Sequence, residues 1–308
     1  MIRSESNYRL AAIVGWVAAC LLVFAGVVSG QVTILTDFMD MESGNNGDIV
    51  TSSLAATATR GTGGSWQLGD YYSSSLPHQL KISTKYTRPP RGAVQIGSTV
   101  YPDTGSTRAW VKKVTLETDV ETVDYIFPSP RPNKVSLGMF FYFSSDGDSW
   151  PGNTGDYYDL FWLQAYSGEF VSFNVQTSGG TDPAGPLLFT IETSGCVSSV
   201  KVCNGKLNQW YWLAFLWDGP NGNAIMQVYN ANTWAQVGSA KSCSLTTTAP
   251  LWRIAVGQRD NHNNPTLNSD YYMDDLMIDR TGGTFPLLPR PSSGAPKPAA
   301  PQNLRLLP

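Results

Sequence analysis

The five residues Glu117-Thr118-Asp119-Val120-Glu121 put three carboxylates at alternate positions. Alternate side chains of an extended strand share a face, so Glu117, Asp119 and Glu121 would stand in one row. Two carboxyl groups about 5 to 5.5 Å apart can supply a nucleophile to an acetal carbon and a proton to its leaving oxygen. The same alternation, continued back through Lys113 and Thr115, also describes the solvent face of an edge strand, where charge discourages pairing with other chains.

A second concentration of polar chemistry runs from Ser144 to Asp156, where Asp146, Asp148, Trp150, Asn153 and Asp156 are interspersed with Gly147, Gly152 and Gly155. That mixture suits a sugar. Carboxylates and an amide exchange hydrogen bonds with hydroxyls, glycine admits a close backbone, and an indole stacks on the apolar face of a pyranose. A solvated turn uses Asp and Gly equally well for backbone geometry. A third polar stretch, Arg259-Asp260-Asn261-His262-Asn263-Asn264, reads as part of such a rim or as a surface loop.

Other chemistries find little support. No Gly-x-Ser-x-Gly elbow occurs, and His78 and His262 are too few for a histidine-rich zinc site. The formal net charge of −3 provides no basic footprint for nucleic acid.

The elements that must position these residues are strands. Past residue 30, no stretch sustains helical apolar spacing for three turns. Short runs of β-branched and aromatic residues between turn formers recur instead. They predict strands near 32–38, 79–84, 110–116, 122–127, 135–143, 157–166, 170–176, 187–192, 210–217, 224–229, 252–256 and 271–278. The run from Trp210 to Trp217 is apolar at both odd and even positions, which marks a strand buried on both faces. About a dozen strands over some 250 residues exceed a minimal immunoglobulin domain and fit one large two-sheet antiparallel sandwich. The segment Gly44 to Gly69 is expected to loop over it.

Residues 1–30 read as an export signal, with Arg3 and Arg9 ahead of the uncharged run Leu10 to Val28, closed by Ser29 and Gly30. That run is 19 residues long, enough to span a bilayer, so an N-terminal membrane anchor is the alternative. Both readings place the bulk of the chain outside the cell, secreted or at its surface. Removal of the segment with Arg3, Arg9 and Glu5 takes the net charge to −4. In an oxidising compartment Cys196 and Cys203 have a spacing that a hairpin disulfide can bridge, leaving Cys243 over. From Pro286 to Pro308 the composition shifts to Pro, Ala and Ser and reads as an extended tail leading to further C-terminal modules. The sandwich is thus expected over 31–285.

Three stretches together resemble the concanavalin A-like lectin and glucanase superfamily, in the sense that includes laminin-G-like jelly rolls. They are Thr36-Asp37-Phe38, then Leu207-Asn208-Gln209-Trp210-Tyr211-Trp212-Leu213-Ala214-Phe215, and finally Ile254-Ala255-Val256-Gly257 with Tyr271-Tyr272-Met273-Asp274-Asp275-Leu276-Met277-Ile278-Asp279. The resemblance implies an all-β jelly-roll sandwich and a lectin-like module whose partner is a polysaccharide or glycoconjugate. Members with a Glu-x-Asp-x-Glu motif are laminarinase-type retaining glycosidases. By that likeness Glu117 would be nucleophile, Asp119 modulator and Glu121 acid/base, although the Trp-Pro-rich lead-in is absent here. A structural or adhesive module with no sugar site is the third reading the superfamily allows. The family also ties its first and last strands through oxygen ligands, which implies structural calcium at Asp37, Asp274 and Asp275. If the carboxylate row is catalytic, Glu117→Gln abolishes β-glucan hydrolysis by the purified protein, measured as reducing-sugar release; a wild-type protein silent on a broad glycan panel refutes it.

Overall fold

A computed structural model describes residues 32–41, 44–61, 63–71, 80–103, 108–114, 121–145, 157–177, 185–194, 199–258, 261–262 and 269–290. In chain order the strands are β1 (Thr33–Leu35), β2 (Asp37–Met39), β3 (Thr59–Gly61), β4 (Ser65–Tyr71), β5 (Leu80–Ser83), β6 (Val94–Ile96), β7 (Thr99–Tyr101), β8 (Ala109–Val114), β9 (Glu121–Ile126) and β10 (Lys134–Phe143). They continue with β11 (Tyr157–Ala165), β12 (Phe170–Thr177), β13 (Leu187–Thr193), β14 (Val200–Gly205), β15 (Trp210–Asp218), β16 (Asn223–Asn230), β17 (Gln236–Ser244), β18 (Leu251–Gln258), β19 (Asn261–His262) and β20 (Ser269–Asp279). Among the described residues a short helix, α1 (Ser52–Ala58), precedes β3.

Two antiparallel sheets form the sandwich. The nine-stranded sheet runs β17-β16-β15-β10-β20-β2-β3, with β8 also pairing β20 and β5 pairing β8. The eight-stranded sheet runs β14-β13-β12-β11-β18-β9-β4, with β19 beside β11. Strand alternation places Val135, Leu137, Met139, Phe141 and Phe143 of β10 on the inner face, where they meet Phe161, Phe173 and Phe189 of the other sheet in one core. Phe173 and Phe215 touch across the layers with ring centroids 3.8 Å apart. The jelly-roll sandwich expected from the strand pattern is what the chain adopts.

The opposite face of β10, β15 and β20 is apolar as well, carrying Phe140, Tyr142, Trp210, Trp212, Tyr272 and Met277. This second core has its own cover. A three-stranded sheet, β1-β6-β7, packs Leu35, Val94, Ile96 and Tyr101 against it, together with Tyr86, Phe285, Leu287 and Leu288. The outer face of the nine-stranded sheet is therefore interior. The double-sided apolar pattern of β15 follows from having a layer on each side.

Several local readings change. Gly44 to Gly69 is not only loop: Thr51 caps α1 by accepting from the Leu54 amide, and β4 joins the eight-stranded sheet beside β9. Strands β14 and β17 escape the apolar-run search because they are largely edge structure, β17 exposing most of its side chains. The predicted strand at 32–38 divides at Thr36, with β1 in the cap sheet and β2 paired to β20. Residues 286–290, assigned by composition to the tail, belong to the cover: the Trp212 indole donates to the Leu287 carbonyl at 2.7 Å, and the Gly92 amide donates to that of Pro289.

Glycine 138 shows how tightly the second core is set. A Cβ there would lie 2.0 Å from Trp212 Cζ2, because the indole crosses over the glycine on the neighbouring strand. Overpacking a full core costs about 1 to 3 kcal/mol and occasionally more. Gly138→Ala should fall at or above the top of that range, lowering Tm by several degrees in a thermal melt; an unchanged Tm would mean that Trp212 has room the packing denies.

Candidate functional site

Of the carboxylate row, Glu121 opens β9 with its Cα opposite Gln258 and Tyr71, whereas Glu117 and Asp119 lie outside the described residues. Asp146, Asp148, Trp150, Asn153 and Asp156 lie outside them too. The two strands flanking that loop, β10 and β11, belong to different sheets. Its first residues are held by Asn208, in the left-handed conformation at φ 59°. The Asn208 amide donates to the Phe143 carbonyl at 2.8 Å, its Oδ1 accepts from the Ser145 amide at 3.0 Å and its Nδ2 donates to Ser145 Oγ at 2.8 Å.

Asp37, Asp274 and Asp275 do not converge on a cation site. Asp274 and Asp275 sit at a β-bulge in β20, where Phe140 faces Asp274 but Gly138 faces Met277, so two residues oppose one. Asp275 takes φ 51° there, and its amide donates to Asp274 Oδ1 at 2.9 Å. Both carboxylates turn to the covered outer side and meet arginines: Arg88 Nε lies 2.9 Å from Asp274 Oδ2, Arg88 Nη2 2.8 Å from Asp275 Oδ2, and Arg91 Nε 2.7 Å from the same oxygen. Asp103 completes the cluster, taking Arg88 through both oxygens at 2.8 and 3.1 Å and the Arg91 amide at 2.6 Å. Asp37 belongs to the other face of the sheet, beside the Tyr125 phenol, with Arg280 Nε at 2.9 Å. Guanidinium groups stand where calcium would bind, so the residues present do not fit that ion. Among the described residues no group of three or more His, Cys, Asp or Glu could hold a metal.

Burial works against the charge of Arg88, but Asp275, Asp274 and Asp103 outweigh it and hold its pKa above the ordinary arginine value. Burial likewise opposes ionisation of Asp103; the hydrogen bonds and charge of Arg88 and the Arg91 amide prevail and hold it below the usual 3.8.

The expected Cys196–Cys203 bridge is also corrected. Cys203 is a free, buried thiol, and Cys243 is the disulfide-bonded residue. Its partner lies outside the described residues. The side chain of Cys203 enters the inter-sheet core, and a disulfide needs Cβ vectors that face each other. Burial pushes its thiol to about 12, so it is inert at neutral pH.

The polar chemistry the structure does gather is on the outer face of the eight-stranded sheet. There Thr122 and Asp124 of β9, Arg253 of β18, Asp159 of β11, Ser172 and Asn174 of β12 and Thr190 of β13 are all buried. Gly69 makes room for the first two, since a Cβ would strike Thr122 Oγ1 at 1.9 Å. Arg253 pairs with Asp124, which also accepts from Thr122 Oγ1 at 2.9 Å; its Nε donates to Gln164 Oε1 at 2.7 Å. The guanidinium lies over the Trp162 ring, which stacks on Phe170. Alongside this braced floor runs a row set by strand register, Asp159 opposite Asn174 and Asn174 opposite Thr190. Ser172 Oγ donates to Asn174 Oδ1 at 2.8 Å, but Asn174 Nδ2 and Thr190 Oγ1 find no partner among the described residues.

Sequence reasoning passed over this row. The signal was present: in the strand expected at 170–176, Ser172, Asn174 and Gln176 alternate with Val171, Phe173 and Val175, which already assigns the polar set to the face away from the core.

No protein-family model matches the chain, and no curated protein matches it. Among solved structures it is similar to the catalytic domain of the glycoside hydrolase family 131 protein from Coprinopsis cinerea, at 13% identity over 84% of this chain and 100% of that one, with a TM-score of 0.45. It is similar to basic winged bean lectin with Tn-antigen at 10% identity over 70% of this chain and 98% of that one, TM-score 0.37. A sialidase is matched at 11% identity over 70% of this chain, TM-score 0.39, and the chain spans only 17% of the sialidase. Likenesses at these identities and TM-scores assign neither family nor activity.

The arginine cluster sets a pH dependence. Because Asp103 has a folded-state pKa below its unfolded value, its stabilisation is complete above about pH 4 and is lost as pH falls through the folded pKa. Asp103→Asn should start from a lower Tm at pH 7 and show a shallower decline on acidification; parallel Tm-versus-pH curves would remove Asp103 from the acid response.

Proposed function

We propose that the outer face of the eight-stranded sheet binds carbohydrate, in a secreted or surface-held module that recognises glycan without cleaving it. The observation that supports this most is the pair of unsatisfied groups, Asn174 Nδ2 and Thr190 Oγ1, buried side by side on that face. A buried polar group left unpaired costs about 1 to 3 kcal/mol, a cost that a ligand rich in hydroxyls removes. Ser172 Oγ, whose proton goes to Asn174 Oδ1, keeps acceptor capacity in the same row. Phe170, half-buried next to Trp162, offers an apolar surface for a pyranose ring. Binding fits better than hydrolysis because Asp124 is committed to Arg253 and Thr122.

The reading separates function from stability in a way a structural role does not. Thr190→Val removes an unpaired hydroxyl without changing volume, so Tm should stay level or rise, while affinity for the best polysaccharide on a glycan panel should fall about tenfold, near the 1.4 kcal/mol of one hydrogen bond. Asn174→Ala should weaken binding by a similar factor. Calorimetric titration measures both. Undiminished affinity in both variants, or no glycan bound by the wild type, overturns the proposal; reducing-sugar release on the same panel would replace binding with hydrolysis.

A further inference from the structure

The cap sheet exposes three apolar side chains on its outward side, Val32, Ile34 and Val100. Register aligns Ile34 of β1 with Gln95 of β6 and Val100 of β7, while Thr33, Leu35 and Val94 of the same strands point inward and are buried. Ile34 is 68% exposed, Val100 48% and Val32 39%, three of the five large exposed hydrophobic residues among those described. Isolated exposed apolar side chains are ordinary. A cluster on one side of one small sheet calls for a cover.

Val32 follows the end of the apolar run Leu10 to Val28 by four residues, which can span at most about 14 Å. As a helix that run of 19 residues would measure about 28 Å, close to the 30 Å hydrocarbon thickness of a bilayer. Arg3 and Arg9 on its N-terminal side favour retention of that end on the cytoplasmic side. An uncleaved run would therefore release the chain at the outer headgroup layer with β1 beside it. The far end of the described chain stays at the same place, with Thr33 Oγ1 donating to the Leu288 carbonyl at 3.3 Å.

We propose that the protein rests on a membrane through the outward side of the β1-β6-β7 sheet, with residues 10–28 as its anchor. Val32, Ile34 and Val100 enter the headgroup region. Three stacked layers then separate the bilayer from the outer face of the eight-stranded sheet by about 20 Å of backbone spacing, so that face looks away from the membrane. This placement stands independently of what the eight-stranded sheet binds.

The test uses the full chain in phosphatidylcholine vesicles containing a headgroup nitroxide lipid. A fluorophore is attached through Val100→Cys or, for comparison, Gln67→Cys, an exposed position of β4; the buried Cys203 stays unlabelled. Quenching at least fivefold stronger at position 100 than at 67 is expected, and Ile34→Ser should reduce it at least twofold while leaving Tm unchanged. Equal quenching at the two positions overturns the proposal, as does a vesicle-bound protein whose mass shows residues 10–28 removed. Loss of glycan binding in the variants of the sheet face would leave the membrane result untouched, so the two proposals fail separately.

Discussion

The nine-stranded sheet is apolar on both sides, and that constraint organises the rest of the molecule. A sheet with one greasy face needs one partner layer; β10, β15 and β20 need two. The eight-stranded sheet covers one side through Leu137, Phe141, Phe215 and their neighbours. The short strands β1, β6 and β7 with residues 285–288 cover the other, over Phe140, Trp210 and Trp212. Neither cover is dispensable, since leaving the second core open would put several large aromatic side chains in water.

What fixes the second cover in place is charge buried under it. Arg88 and Arg91 come from the segment leading into β6, and Asp274 and Asp275 come from the bulge in β20. The bulge has two effects. It turns both carboxylates to the same side, and it shifts the alternation of β20 by one, so that Tyr271 and Met273 before it and Leu276 and Ile278 after it all reach the inner core. Arg91 lies over the Phe38 ring and Arg88 over Phe140, so each guanidinium is braced by an aromatic face as well as by carboxylates. Losing one partner from such a buried network strands a charge, at a cost of about 3 to 5 kcal/mol. The network makes the cover specific in register as well as stable.

The two sheets thus end with opposite outer surfaces. One is hydrophobic and sealed; the other carries Asp124, Arg253, Asp159, Asn174 and Thr190. On the second, the Arg253–Asp124 pair is internally satisfied, whereas the Asn174–Thr190 pair is not. That asymmetry distinguishes a supporting floor from groups held ready for a ligand.

Strand periodicity was enough to establish the sandwich, because apolar alternation is a local property and most central strands bury a whole face; β10, β12 and β15 were legible for that reason. Edge strands such as β17, with few buried positions, were not. The double-sided pattern of Trp210 to Trp217 announced burial on both faces, but not that the second cover would come from residues 84–103 and 285–290. The acidic pair Asp274-Asp275 stood out in the sequence, and only tertiary structure decided that arginines nearly two hundred positions away would neutralise it. The same holds for Asn174 and Thr190. Alternation sends them to the outer face, but their lack of partners depends on what folding brings within hydrogen-bonding distance, and no local pattern encodes that.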